Sequence, residues 1–153
     1  MKKLIVILFA VLDSNIWGSE QLVCWVDEVI SKLERPKAWL ADLSVSDSTD
    51  DSLEVVRETM RSYGVLLPEN IGDLIIGFIL IRLDKGEITE EIARTYIIDV
   101  VDAYGSDCVD VENAVILDLN DKIYLTNRRN AKLAIDYLTS EKLFEVEREL
   151  LED

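Results

Sequence analysis

The chain has 153 residues, of which 49% are hydrophobic and 31% are charged, a composition that is typical of a globular protein and excludes an intrinsically disordered one. One domain of this length buries a full hydrophobic core without disulfides or a structural metal. With 31 acidic and 16 basic residues the net charge is −15, which repels phosphate backbones and anionic lipid and attracts basic partners. Direct binding to nucleic acid or to a membrane surface is therefore disfavoured.

The N-terminal segment combines two lysines with an apolar run over residues 4–12, as a signal peptide does. The best candidate cleavage site, after Gly18, is poor because Ile16 lies where Ala or Val is preferred. We therefore predict a packed element of a cytoplasmic protein. Whether that element is a helix, a strand or a retained targeting segment stays open. The longest later apolar run, over residues 74–81, is much shorter than the roughly 20 residues that span a membrane.

The first clear helix is predicted over residues 20–34, where apolar residues recur at helical spacing and Ser19 can act as the N-cap. Pro36 then begins a short helical turn. The polar, acidic stretch that follows is typical of a surface loop. The next helix is predicted to begin after Ser48, which opens a capping box, and to run to Tyr63, with Gly64 as the stop.

Two further helices are predicted in the middle of the chain. Pro68 precedes a helix over residues 69–83 that is apolar nearly all round, so we expect it to be the buried central helix. Thr89 is predicted to cap a helix over residues 90–103. The apolar residues of that helix form one inward stripe: Ile92, Ala93, Tyr96, Ile97, Val100 and Val101.

The C-terminal part of the chain is predicted to contain two helices. Asn127 is expected to open the first, which runs to Leu138. Ser140 is expected to cap the second, whose inward residues begin with Leu143.

Residues 114–126 are ambiguous, because they fit either a helix or a hairpin around Asn120 and Asp121. In the second case residues 4–10 could add a third strand. We prefer an all-α fold in which residues 1–153 form a single-domain compact bundle of about seven or eight helices. An α+β fold with a small sheet from residues 4–10 and a 114–126 hairpin is the alternative.

The sequence contains no recognisable catalytic site. It has no histidine, which removes the commonest general base and metal ligand, and no P-loop, GxGxxG or GxSxG motif. A loop that begins at Asp47 has some acceptors of a calcium loop, but Ser52 lies where that loop requires glycine. We therefore predict a protein that is not an enzyme and uses no cofactor and no metal ion. A carboxylate-based enzyme is the minor alternative.

The cysteines and tryptophans are expected to be structural. Cys24 and Cys108 lie among apolar neighbours, which favours buried structural thiols over the alternatives of a disulfide or a redox role. Trp17, Trp25 and Trp39 are expected in the core or at helix junctions. An exposed member of this group would be able to anchor an interface.

The excess negative charge is concentrated in the middle of the chain. Residues 84–121 contain eleven acidic and two basic residues, and residues 42–83 contain eight acidic and three basic residues. The parts before residue 42 and after residue 121 are nearly neutral. Arg94 is the only basic residue between Lys85 and Lys122. Crowded like charges lower stability slightly, so this concentration indicates a use beyond solubility.

The candidate partner-binding residues are acidic side chains of this region. Glu91, Asp99 and Asp102 are spaced by eight and three residues, so they share the helix face opposite the apolar stripe. Asp107 and Asp110 follow directly. A second, weaker patch consists of Asp47, Asp50 and Asp51.

In overall character the chain resembles the small acidic immunity proteins of bacterial toxin systems, including contact-dependent growth inhibition. The resemblance depends on the size, on the missing catalytic constellation and on the acidic stretch over residues 87–121, which contains DVVDAYGSDCVDVEN. It implies a cytoplasmic antidote that binds and neutralises one cognate basic toxin, commonly a nuclease. An acidic surface would occupy the phosphate-binding site of such a toxin.

The alternative function is a non-catalytic structural or adaptor subunit. Its acidic residues would serve only solubility. It would associate through apolar surface, such as the segment over residues 4–12, in a manner that salt does not weaken. The sequence names neither the toxin nor its substrate, and it leaves the oligomeric state open.

Overall fold

The computed structural model describes residues 1–107, 109–116, 118–141 and 143. These residues form α-helices joined by short turns and loops, and no strand occurs among them. The helices of the described part, in chain order, are α1 (Lys2–Asp13), α2 (Ser19–Lys32), α3 (Ala38–Ser44), α4 (Thr49–Tyr63), α5 (Ile71–Asp84), α6 (Glu90–Tyr104), α7 (Val111–Ile116) and α8 (Lys122–Thr139).

The predicted all-α fold is confirmed, and the α+β alternative is wrong. Residues 4–10 lie inside α1, and residues 122–126, the second half of the proposed 114–126 hairpin, lie in the first turns of α8. In α8 the buried positions include Tyr124, Asn127, Arg128 and Ala131, which recur at helical and not at strand spacing. Two of these four side chains are polar, so the hydrophobic pattern of the sequence did not reveal the period. None of the described helices is both long and apolar enough to cross a membrane.

The chain divides into two compact units. The first unit comprises Met1–Leu66 together with Ile135–Asp153, of which the structure describes 135–141 and 143. The second comprises Leu67–Ala134. Helix α8 therefore supplies residues to both units. That the whole chain is one domain stays a prediction.

In the first unit, α1 packs against α4, and α3 packs against both α2 and α4. Helix α1 is buried along most of its surface, including Leu4, Leu8 and Leu12. The prediction that this apolar segment is a packed element is thus confirmed for the described chain. The end of α8 is held in the same unit, where the Trp25 indole donates to the Leu138 carbonyl at 2.9 Å and Lys3 Nζ lies 4.1 Å from the centre of the Tyr137 ring.

Local capping explains where the helices of the first unit begin and end. Helix α2 begins at Ser19 itself, so the predicted Ser19 cap is wrong. Gly18 is the N-cap, and its N–H donates to Gln21 Oε1 at 3.0 Å. In α4 the predicted Ser48 cap is confirmed, because Ser48 Oγ accepts from the Asp51 N–H at 3.1 Å. The helix ends at Tyr63 and is followed by the predicted stop, Gly64, whose φ of 60° lies in the left-handed region.

In the second unit, α5 is the central buried helix, as predicted, and packs against α6, which also contacts α7. Two glycines allow close backbone approaches within this unit. A Cβ at Gly72 would overlap the Gly105 carbonyl, and one at Gly77 would overlap the Asn127 carbonyl and lie 2.8 Å from the Ala131 Cβ. Only glycine fits at such contacts.

The C-terminal boundaries differ from the predicted ones. Asn127 does not open a helix, because α8 begins five residues earlier and runs through it without a break. Asn127 is instead buried, at 3% exposure. Beyond α8, the Leu143 N–H donates to the Ser140 carbonyl at 2.9 Å. The rest of the predicted last helix, over residues 144–153, lies outside the described residues.

A buried phenol in the second unit leads to a stability prediction. Tyr124 is 0% exposed, and its hydroxyl has no hydrogen-bond partner among the residues that the structure describes. Burial raises the pKa of Tyr124 above its ordinary value of 10.0, with a smaller opposing effect of Arg94. Since the pKa is higher in the folded state, the associated stability is complete below pH 10 and is lost as the pH rises through the raised pKa.

We expect Tyr124→Phe to leave the free energy of unfolding at neutral pH unchanged or to increase it by up to about 1 kcal/mol, because it removes an unpaired buried hydroxyl. It should also reduce the loss of stability above pH 10. Urea unfolding at neutral and alkaline pH measures both effects. Tyr63→Phe, at a side chain with 37% exposure, is the control and should change the neutral value by less than about 0.5 kcal/mol. A loss of more than about 1 kcal/mol in Tyr124→Phe would mean that the hydroxyl has a partner.

Candidate functional site

The exposed side of α6 carries the first candidate site, which we name the acidic α6 face: Glu91, Asp99 and Asp102. All three residues are exposed. The helix is capped by Thr89, whose Oγ1 accepts from the Ile92 N–H at 3.3 Å. Its opposite side is buried in the second unit, so the rigid helix presents the three carboxylates in a fixed order along one face.

The acidic α6 face is not neutralised within the described part of the chain. None of its three carboxylates makes an ion pair with a described residue. The nearest basic residue in sequence, Arg94, is directed elsewhere: its Nη2 lies 2.9 Å from Glu90 Oε1, and its Nη1 donates to the Ala114 carbonyl at 3.4 Å. The negative charge of the face is therefore available to attract a positively charged molecule from solution.

Two apolar side chains on α6 are more exposed than predicted. Ile92 and Tyr96 were expected to point inward, yet each is 40% exposed. At 100° per residue they follow Asp99 around the helix, so they lie beside the acidic α6 face. The Arg82 guanidinium lies 5.9 Å from the centre of the Tyr96 ring and orients it. A partly exposed aromatic and an aliphatic side chain next to charges are typical of protein-binding surfaces.

The loop after α6 carries Asp107 and Asp110, which are both exposed. Its position depends on Asp73 of α5, whose carboxylate accepts from the Ser106 hydroxyl and, at 3.2 Å, from the Asp107 N–H. Ser106 Oγ in turn accepts from the Val109 N–H at 2.9 Å. Asp73 is therefore a positioning residue that the sequence did not single out, because its partner lies 33 residues away.

The second predicted patch, Asp47, Asp50 and Asp51, is exposed at the start of α4 in the first unit. Local structure already accounts for two of its members. Asp51 accepts from the Ser48 hydroxyl at 2.8 Å, and Asp50 lies in the first helical turn, where a negative charge is favourable. This patch is therefore the weaker candidate.

Two other expectations are corrected by the structure. Cys24 is exposed on α2 and is not a buried thiol, whereas Cys108 lies outside the described residues. The segment over residues 4–12 is buried, so it does not offer the apolar surface through which an adaptor subunit was expected to associate. No group of three or more cysteine, aspartate or glutamate side chains in the described part is placed to hold a metal ion.

The comparisons with known proteins add no relative. No family model matches the chain, and no curated protein or solved structure is significantly similar to it.

Proposed function

We propose that this protein is an immunity protein that acts in the cytoplasm, where it binds a cognate basic toxin, a nuclease, and blocks its activity through the acidic α6 face. The observation that supports the proposal is the set of three exposed carboxylates on one helix face without an ion pair to any described residue. The net charge of −15 adds a field of the same sign. The loop with Asp107 and Asp110 extends the candidate surface.

The physical basis of inhibition is competition for a phosphate-binding site. A nuclease holds its substrate with lysine and arginine side chains, and carboxylates spaced along a rigid helix offer these cations an alternative partner. Opposite net charges accelerate the encounter by 10-fold or more at low salt. The half-exposed Ile92 and Tyr96 would supply apolar contact beside the ion pairs, which protects the pairs from solvent.

The first experiment is capture of a partner and a test of its activity. Tagged protein is incubated with a lysate of its own host at low and at high salt, and bound proteins are identified by mass. The captured protein is then purified, and its nuclease activity is measured with and without this chain. We expect one basic partner, weaker capture at high salt and stoichiometric inhibition. A salt-resistant acidic or neutral partner, or a captured nuclease that remains fully active, would contradict the proposal.

Neutralising the acidic α6 face should weaken binding more than the same charge change elsewhere. In the triple variant Glu91→Gln, Asp99→Asn and Asp102→Asn, we expect the association rate with the partner to fall by about 10-fold or more at low salt and to become less dependent on salt. Surface plasmon resonance at several salt concentrations measures both quantities. Circular dichroism checks that the helix content is unchanged.

Two matched triple variants complete the design, because each changes the net charge by the same amount. Asp27→Asn, Asp42→Asn and Glu69→Gln alter exposed acids outside both candidate patches and should have a smaller effect. Asp47→Asn, Asp50→Asn and Asp51→Asn test the second patch. Equal losses in all three variants would show that only the net charge matters, and the assignment to α6 would then fail.

A further inference from the structure

The first unit contains an open cleft between α2 and the end of α8. Its volume is about 470 Å³. Its walls include two tryptophans, two glutamates, a cysteine and a threonine, namely Trp17, Trp25, Glu20, Glu28, Cys24 and Thr139. Among the described residues, no basic side chain lines the cleft, and none of the lining residues belongs to the acidic α6 face. The cleft is thus a second, chemically distinct feature of the surface.

The aromatic part of the cleft is held in place. The ring centres of Trp17 and Trp25 lie 6.2 Å apart, with an angle of 50° between the planes. Trp25 is 7% exposed, and its indole N–H is already used in the hydrogen bond to the Leu138 carbonyl. Trp17 is half-buried. The Trp25 donor is therefore not available to an incoming group, and Trp17 is the more accessible ring of the pair.

The acidic part of the cleft comes from one side of α2. Glu20 and Glu28 are separated by two helical turns with Cys24 between them, and all three are exposed. Glu28 Oε1 lies 2.6 Å from Lys32 Nζ, so one carboxylate already has a cationic partner. Glu20 makes no ion pair with any residue that the structure describes. Glu20 lies in the first turn of α2, where a negative charge stabilises the helix. Helix stabilisation does not require the tryptophans that line the same cleft.

We propose that this cleft binds a guanidinium group, as presented by an arginine. A guanidinium is planar, stacks on an indole face and donates two parallel hydrogen bonds to one carboxylate, so it uses both parts of the cleft at once. A quaternary ammonium stacks on aromatic rings but donates no hydrogen bond. The site lies in the first unit, and its proposed ligand is not the toxin. A failure of this proposal therefore leaves the proposed function untouched, and the reverse also holds.

Nuclear magnetic resonance of the full 15N-labelled chain tests the site directly. The probes are N-acetylarginine amide and N-acetylcitrulline amide, which have nearly the same shape but differ in charge. We expect the arginine probe to shift the indole resonances of Trp17 and Trp25 in a saturable manner and to leave that of Trp39 unchanged, since Trp39 lies outside the cleft. The citrulline probe should bind about three- to fivefold more weakly or not at all.

Two variants separate the carboxylate from the aromatic contribution. Glu20→Gln keeps the size of the side chain and should weaken the arginine probe by about fivefold. Trp17→Leu should weaken it by about three- to fivefold. Asp27→Asn, on the same helix but outside the cleft, is the charge control and should not change the affinity. An unchanged Trp39 resonance confirms that each variant remains folded.

The source of the arginine is distinguished by two further ligands. Tighter binding of a blocked Gly-Arg-Gly peptide than of free arginine would support a polypeptide partner, because only the peptide presents backbone groups on both sides of the arginine. Tighter binding of free arginine would support a small-molecule ligand. Equal shifts with the arginine and citrulline probes, tighter binding of choline than of arginine, or no shift of the Trp17 and Trp25 resonances would each overturn the proposal.

Discussion

Replacement of Gly77 by alanine is expected to lower the free energy of unfolding by about 3 kcal/mol or more. In an exposed helix the same change stabilises by up to about 1 kcal/mol, so the expected sign is reversed here. The new Cβ would overlap the backbone carbonyl of Asn127 and lie 2.8 Å from the Ala131 Cβ, and backbone atoms cannot rotate away as a side chain does. Helices α5 and α8 would have to separate within the second unit.

Urea unfolding followed by circular dichroism measures this effect. Gly18→Ala is the matched control, because no atom lies within 4 Å of the position of the added Cβ and its φ of −79° suits any residue. We expect that control to cost no more than about 1 kcal/mol, the difference between glycine and alanine at an N-cap. If the two variants lose similar amounts of stability, the close packing of α5 on α8 is wrong.

Replacement of Arg128 by alanine should cost about 3 kcal/mol. Arg128 is 7% exposed, and its guanidinium lies against Asp84 through two contacts, Nε to Oδ2 at 2.9 Å and Nη2 to Oδ1 at 3.2 Å. Nη1 also donates to the buried Leu119 carbonyl at 3.0 Å. The Asp84 side chain is 47% exposed, so water can solvate its charge after the arginine is removed. Most of the loss of stability therefore comes from the Leu119 carbonyl, which loses its donor, and from the cavity that is left.

Arg61→Ala is the control for Arg128→Ala. Arg61 also forms an ion pair, with Nη2 at 2.7 Å from Glu54 Oε1, but its side chain is 66% exposed. Exposed pairs contribute less than about 1 kcal/mol, so thermal and urea unfolding should separate the two variants clearly. A loss of less than about 1 kcal/mol in Arg128→Ala would indicate that water replaces the guanidinium without strain.

The helices that were predicted with accurate ends are those whose ends are encoded locally. Helices α4 and α6 begin after Ser48 and Thr89, whose hydroxyls accept backbone hydrogen bonds as expected. Helix α8 was misjudged because its buried side includes the polar residues Asn127 and Arg128. Arg128 is buried against partners such as Asp84, which lies 44 residues away in sequence. Such partners cannot be read from spacing alone.

The candidate site was predicted in part. The exposure of Glu91, Asp99 and Asp102 follows from their position opposite the apolar stripe, which the helical period reveals. The partial exposure of Ile92 and Tyr96 could not be predicted, because it depends on how much of α6 its neighbours cover. The aromatic cleft was also missed, since Trp17 and Trp25 meet Thr139 only in three dimensions.

The order of the two units along the chain has a consequence for synthesis on the ribosome. The unit formed by Leu67–Ala134 is continuous, so all of its residues have been translated before those of the other unit are complete. The other unit needs residues from Ile135 onward, including the Leu138 carbonyl that accepts from the Trp25 indole. Helix α1, which is translated before the rest of this unit, packs against α4 but meets the Tyr137 ring through Lys3 only after the end of α8 has been made. Until α4 has been translated, a nascent chain exposes the apolar residues of α1, which form the kind of surface that chaperones bind.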